Sequence, residues 1–454
     1  MRRLVLLAGV LIGRPVAAQI GLTIYNDGRV LVRRTLPNAL PSGTSTHRLA
    51  IGALDPASVF ALDSGVAVMG ASYDESVDEQ NTMRRAVGQS LKFWTGRSGR
   101  PGASDADTVT ATVLGVNPER FKLPDGRIVF QRPGTPLYPA ELVLADPTLA
   151  LALRAATARP ALRLGYFTQG AAWNASYSVI LGKASARVTG IAAIPSASLR
   201  VSDAEVQLLA GSIGQAQPGP RPRFEAMAVA KMADMAQGAA AEQQIGEAHL
   251  YTIPGRISLE PGVTTSVALF DPAAAPWEKG FVVRGQLSYY GPLPQYGNDE
   301  SQVPVEVWYT LKRQAKTAFG DLPLPMGSYR LYEPDDAGRL QLIGEASAGH
   351  TAPGTDVRLA AGSAFDLTAT RVQTSYSTRR DSLRTIATAD YRVTIKNAKD
   401  SAATVDVLEE RRGEWSVLAS SIPAETLSST RTRFRVRVPA KGEATLTYRV
   451  RVVW

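Results

Sequence analysis

The residues best placed to do chemistry in this sequence are arginines near its C-terminal end. In "RTRFRVRVPAKGEATLTYRVRVVW", Arg431, Arg433, Arg435 and Arg437 alternate with Phe434, Val436 and Val438. An extended strand therefore puts the cations on one side and the apolar groups on the other. Across the Ala440-Lys441-Gly442 turn, Arg449 and Arg451 are expected to join the same basic face. Like charges on neighbouring strands repel, so such a row needs acidic partners, with Glu409 and Glu410 as candidates, or an external anion. The first case is a set of internal ion pairs; the second is a stripe that grips acidic glycan or lipid headgroups.

Other chemistry finds less support. The three histidines, His47, His249 and His350, are scattered. The densest local group is Glu345, His350, Asp356 and Asp366, with Gly and Pro between them and no metal-ligand spacing, which reads as a solvated loop. There is no cysteine, no Gly-x-Ser-x-Gly elbow, no recognisable triad order and no phosphate loop. Paired carboxylates for glycosidic cleavage meet only in the fold, so a hydrolase acting on envelope glycan is the alternative to a binding protein. Tyr289, Tyr290 and Tyr296, followed by Trp308 and Tyr309, form an aromatic group suited to sugar stacking, although aromatics beside prolines more often just pack. No catalytic, cofactor-binding or metal-binding residue is assigned, and no cofactor is expected.

The elements that must position these residues are mostly strands, because short apolar-polar alternations broken by Gly, Pro, Asn and Asp run through most of the sequence. Asn26-Asp27-Gly28 between apolar runs marks a hairpin turn. The clearest helix is "SVDEQNTMRRAVG", with Ser76 and Glu79 as a reciprocal cap and Gly88 closing its end. Short strands then surround tight turns such as Asp125-Gly126, as in a small SH3-like barrel. In "LGYFTQGAAWNASYSVILG", Trp173, Ala175, Tyr177, Val179 and Leu181 share one face, opposite Asn174, Ser176 and Ser178. A Gly170 turn would pair this strand with Leu162, Leu164 and Tyr166 as a core hairpin, and the Asn-Ala-Ser motif reads as incidental.

The fold expected is mostly β and multi-domain. Residues 19–88 read as an N-terminal β segment with one helix, 89–145 as the small barrel-like module and 146–340 as a central β-sandwich region. Residues 341–454 read as a C-terminal immunoglobulin-like sandwich. An Ala/Met-rich excursion at 218–246 has no clean helical stripe and reads as a loose segment or, more sharply, a partner or membrane-surface helix.

Arg2 and Arg3, the apolar run Leu4 to Ile12 and the small residues Val16, Ala17 and Ala18 read as a secretory signal, 1–18, cut before Gln19. The formal charge of +9, from 50 Lys and Arg against 41 Asp and Glu, falls to 47 − 41 = +6 without Arg2, Arg3 and Arg14. That excess suits a polyanionic neighbour; nucleic acid is not expected, since there is no dense Lys/Arg run. No stretch reaches the ~18 apolar residues of a spanning helix. An exported protein without cysteine relies on burial alone, and together with Ala/Arg-rich usage this points to a bacterial envelope, in the periplasm or at the cell surface. The last strand, Leu446 to Trp454, also alternates like the closing strand of an outer-membrane barrel, a further alternative that 7% aromatics argue against.

With those residues laid out, the sequence resembles a bacterial envelope family of unknown function whose shared domain also occurs in mucoidy inhibitor A proteins. The likeness runs through "YNDGRVLVRRT", "YFTQGAAWNASYSVILG", "SDAEVQLLAGSI", "EAHLYTIPGRISLEPG" and "YRVTIKNAKDSAATVDVLEERRGEWSVL". The resemblance implies a mostly β envelope protein, in a short form without the heptad-rich coiled coil of longer members, and no active-site motif to carry over. Where longer members show a Trp and acidic residues, this sequence has "IPSASLRVSDAEV". The expected role is a non-enzymatic binding or structural one, engaging an acidic polysaccharide, lipid headgroup or envelope protein.

Overall fold

The computed structural model describes residues 19–96, 108–211, 241–285, 293, 295, 300–381 and 384–454. Residues 1–18, read from the sequence as a signal, residues 218–240 of the Ala/Met-rich excursion, and Tyr289, Tyr290 and Tyr296 lie outside the described residues. Strands make up 65% of the structure, in several separate sheets with one α-helix, so the mostly β, multi-sheet expectation holds.

Alternation carried through to burial is what makes these strands. Ala186–Ser196 buries every second residue along its whole length, and Asn174–Leu181 buries Ala175, Tyr177, Val179 and Leu181 while Asn174, Ser176 and Ser178 face away, as expected. Asn26-Asp27-Gly28 turns Gln19–Tyr25 into Arg29–Leu36, with Gly28 at φ 89° where a side chain would be strained.

The expected hairpin through Gly170 does not form. Leu162–Gln169 pairs with Arg29–Leu36 in a seven-stranded sheet, whereas Asn174–Leu181 pairs with Ala186–Ser196 and Gly327–Pro334 in a five-stranded one. Gly170, at φ 104°, carries the backbone from one sheet to the other, and Trp173 plugs the gap, donating from Nε1 to the Leu209 carbonyl at 3.2 Å. Local alternation fixes which face is buried but not which strand lies alongside.

The helix spans Glu79–Arg85, and its cap is Asp78, whose carboxylate accepts from the Asn81 backbone N–H at 2.9 Å. Ser76 therefore does not cap it: the chain enters two residues later, where the carboxylate faces the free amides at the helix end. Gly88 does adopt the left-handed conformation, at φ 87°. Met83 and Ala86 of this helix share a core with Phe93, Val113, Phe121 and Leu142 of the next segment. The five strands there run in the order Thr135–Leu137, Ser90–Trp94, Thr108–Val116, Glu119–Lys122, Ile128–Val129. This module is inserted between Val66–Asp74 and Thr148–Ala155, which pair with each other antiparallel.

The excursion ends in structure: Ala241–Ile245 pairs with Ala248–Leu259 around a tight turn in which Gly246 has φ 61°. Over residues 241–246, the described end of that segment, a short hairpin replaces the loose chain expected, because a glycine in that conformation closes a two-residue turn at little cost.

Two large cores organise the rest. The first joins the seven-stranded sheet, the three strands around Thr148–Ala155 and the five-stranded sheet, and includes Leu22, Leu151, Leu164, Trp173, Tyr177 and Leu331. The second lies between a six-stranded sheet (Val357–Ser363, Val305–Leu311, Trp277–Arg284, Ala403–Glu410, Arg431–Val438, Ala424–Ser428) and a five-stranded one (Ser301–Val303, Leu367–Asp381, Arg384–Asn397, Gly442–Val453, Glu414–Ser420). This C-terminal sandwich thus draws in strands from Trp277 onward, while Leu340–Ala348 belongs to the first core's five-stranded sheet. The apolar side chains Leu446, Tyr448, Val450 and Val452 of the last long strand are buried against the facing sheet.

Candidate functional site

Alternation places Phe434, Val436 and Val438 fully in the sandwich core and sends Arg431, Arg433, Arg435 and Arg437 outward, as expected. The basic face is not continuous, however. Arg431–Val438 belongs to the six-stranded sheet and Gly442–Val453 to the five-stranded one, with Phe434 and Tyr448 stacked at 4.9 Å between them. The turn at Lys441 is therefore a crossing between sheets, and Arg449 and Arg451 project from the opposite side of the sandwich to Arg433 and Arg435. Two amphipathic strands in succession bury their apolar sides best by facing each other, which separates their polar sides.

On the six-stranded face, carboxylates stand beside the arginines. Arg431 meets Glu410 at 2.5 Å, Arg433 meets Glu425 at 2.8 Å and Asp406 at 3.4 Å, and Arg435 lies 3.7 Å from Asp406. The Arg433 hydrogen bonds hold Glu425 below the ordinary carboxylate range. Farther along, the Trp308 ring lies between Arg284 and Arg358, whose guanidinium carbons are 5.5 and 5.2 Å from its centroid. Its Nε1 donates to Glu306 at 2.8 Å. Trp308 is thus already covered, and Tyr309 is buried, so neither is the open sugar platform their types suggest.

The five-stranded face is different. Asp390 pairs with Arg449 at 2.7 Å, but the neighbouring rows across the strands carry hydroxyls. Register aligns Ser377, Thr388, Arg451 and Ser416 in one row, Arg392 with Thr447 in another, and Thr370, Thr394 and Thr445 in a third. Among the described residues no carboxylate lies within ion-pair distance of Arg392 or Arg451. Side chains in such rows stand ~5 Å apart on a flat surface. Sequence reading named Arg449 and Arg451 but missed Arg392 and the hydroxyl rows, because the members of this face come from four strands and only their pairing aligns them.

Between the two faces lies a buried polar cluster. Glu409, fully buried, has the parity of Val405 and Val407 and so points inward, rather than toward the arginine row for which it was a candidate. Arg371 donates to Glu409 Oε1 at 2.9 Å and to the Tyr448 hydroxyl at 3.1 Å, Tyr448 in turn donates to Glu409, and Arg411 lies 3.6 Å from its other oxygen. Burial opposes the charge on Arg371, but Glu409, Tyr448 and Tyr391 outweigh it and raise its pKa; burial keeps Tyr448 protonated. Gly285 is required beside this cluster, since a Cβ there would sit 2.3 Å from Glu409 Oε1.

The remaining expected groups do not converge. Glu345 pairs with Arg330, Asp356 with Lys312, His350 accepts from the Met326 N–H, and Asp366 is exposed. His249 pairs with Glu242 at 2.7 Å, and His47 lies 3.0 Å from Ser45 Oγ with no acid to orient it among the described residues. No group of three His, Cys, Asp or Glu suited to a metal occurs among the described residues.

One open groove, about 220 Å³, lies where the two large cores meet on the inner side of the six-stranded sheet. Val307, Ile343 and Ala361 from the margin of the first core and Phe281 and Ala364 from the margin of the second line it. Lys279, Lys399, Glu333, Tyr309, Ser363 and Phe365 complete it. No helix among the described residues is long and apolar enough to cross a membrane. No family model matches this sequence, and no curated protein matches it.

Proposed function

We propose that this protein is a non-enzymatic binder of an acidic polysaccharide of the cell envelope, and that the outer face of the five-stranded C-terminal sheet is the gripping surface. The observation that carries this reading is a pair of rows, Ser377, Thr388, Arg451, Ser416 and Val372, Arg392, Thr447, that flank the Asp390–Arg449 ion pair. Among the described residues these two guanidiniums have no carboxylate within ion-pair distance, and hydroxyls stand beside each of them in its row. Guanidinium pairs with uronate carboxylates in a forked geometry, and hydroxyls exchange hydrogen bonds with sugar hydroxyls. A lipid surface would be met better by lysines and exposed apolar groups, which these rows lack. The export-like N-terminus read from the sequence fits an envelope location. A glycan hydrolase needs two carboxyls in one cleft; the described groove contains one, Glu333.

The test is retention on immobilised polygalacturonate at low salt, against a neutral dextran column. Arg392→Gln with Arg451→Gln is expected to weaken retention by about tenfold or more, since hydrogen bonds to charged groups are worth ~1.5–3 kcal/mol. Retention unchanged by the double substitution, or equal retention on dextran, would refute the proposal.

A further inference from the structure

The groove between the two cores has a chemistry of its own. The six-stranded sheet is shared: its inner side packs Tyr309 and Leu311 into the first core and Val283 and Val305 into the second. Between those patches the sheet is left uncovered, the kind of domain junction where binding sites concentrate. Two ammonium groups reach into the gap over aromatic rings. Lys279 Nζ is 5.4 Å from the Tyr309 centroid, and Lys399 Nζ is 4.8 Å from that of Phe281. Neither lysine has a carboxylate within ion-pair distance among the described residues, so with Glu333 the groove carries a net positive charge.

Its rim is held in place. The Lys399 N–H donates to Asn397 Oδ1 at 3.0 Å, its carbonyl accepts from the Lys441 N–H at 3.0 Å, and the Ala364 N–H donates to the Val305 carbonyl at 2.8 Å. Phe365, next to that anchored residue, is 95% exposed. An aromatic ring presented so fully to water, beside two cations fixed over other rings, is a surface awaiting a cover that is apolar on one side and anionic on another.

We infer that the groove binds a single acidic sugar unit, its ring against Phe365 and its carboxylate between Lys279 and Lys399. At about 220 Å³ it is smaller than the ~300–1,000 Å³ of sites that enclose a free small molecule. Being open, it holds one unit of a longer chain while the neighbours extend into solvent. This rests on the acidic-glycan reading for the class of ligand, but it uses different residues on a different side of the six-stranded sheet.

The test uses short oligomers, which approach the groove without a polymer's many simultaneous contacts. Calorimetric titration with trigalacturonate is expected to show saturable binding, weakened by about tenfold or more in Lys279→Met and in Lys399→Met. These substitutions keep the apolar stem over each ring and remove only the charge. Phe365→Ala is expected to weaken it severalfold, with melting temperatures checked for every variant. Absence of binding, equal binding of neutral maltotriose, or indifference to both lysine substitutions would overturn the inference. Polymer retention that depends on Arg392 and Arg451 would still stand in that case, so the two readings fail separately.

Discussion

The two outer faces of the C-terminal sandwich are built by the same alternation and both carry arginine, but most of those arginines meet different neighbours, with Arg449 opposite Asp390 and Arg437 opposite Thr404 as the exceptions on either side. On the six-stranded face Arg431, Arg433 and Arg435 each find a carboxylate from a neighbouring strand, Glu410, Asp406 or Glu425. On the five-stranded face Arg451 finds Thr388 and Ser416 at those positions, and Arg392 finds Thr447. A row of arginine is therefore not in itself a binding site. What decides is the residue opposite, a carboxylate that closes the charge internally or a hydroxyl that leaves it open to an external anion.

The sharpest way to probe this contrast is to remove a pairing where no solvent can compensate. Glu409→Gln leaves Arg371 and Arg411 facing one another beneath both sheets and is expected to destabilise the protein by ~3–5 kcal/mol in urea unfolding. Outer-face pairs, by comparison, are worth ~0–1 kcal/mol. Next, giving the five-stranded face the carboxylates of the other, with Thr388→Glu and Ser416→Glu, is expected to lower polygalacturonate retention by roughly a hundredfold. Melting should be nearly unchanged, since the new ion pair with Arg451 lies at the surface. A loss of fold in that variant would undercut the comparison.

The reverse exchange tests the other side. Asp406→Asn with Glu425→Gln frees Arg433 and Arg435 and is expected to strengthen polygalacturonate retention about tenfold over that of Arg392→Gln with Arg451→Gln when all four substitutions are combined. The smallest effect is in acid. Glu425 has its pKa lowered from 4.5, first by the Arg433 hydrogen bonds. A carboxylate with a depressed folded pKa contributes stability above its unfolded pKa and loses it as pH falls through the folded one. Below pH 4.5 the six-stranded face should therefore begin to release its arginines. Retention on dextran sulfate, which stays charged, is expected to rise there, and the rise should be absent in Glu425→Gln because that variant starts with the charge already open.

Much of the fold was legible before any coordinates. Strand content, the Asn26-Asp27-Gly28 turn and the buried parity of Phe434, Val436 and Val438 follow from period-2 alternation and turn chemistry, which act within a few residues. The helix was legible too, but its cap lay at Asp78 rather than Ser76, since both residue types suit that position and only the path of the entering chain selects one. The errors concerned partners. Gly170 joins two sheets rather than one hairpin, and the Lys441 turn crosses the sandwich rather than continuing a face. Glu409, offered as an outer partner, could have been placed inside by its shared parity with Val405 and Val407. Lys279, Lys399 and Phe365 leave no comparable mark, because they meet only at the margin of two cores assembled from strands far apart in sequence.

The sequence by itself determined which side of each strand turns away from water, because side-chain direction alternates along any extended chain whatever lies beside it. It also determined that stability comes from burial, there being no cysteine to cross-link. Only the tertiary structure decided which strands became neighbours, and with that whether each arginine faces a carboxylate or a hydroxyl and where two cores leave a sheet bare. Pairing between strands is set by how whole apolar surfaces cover one another, a condition no local stretch contains.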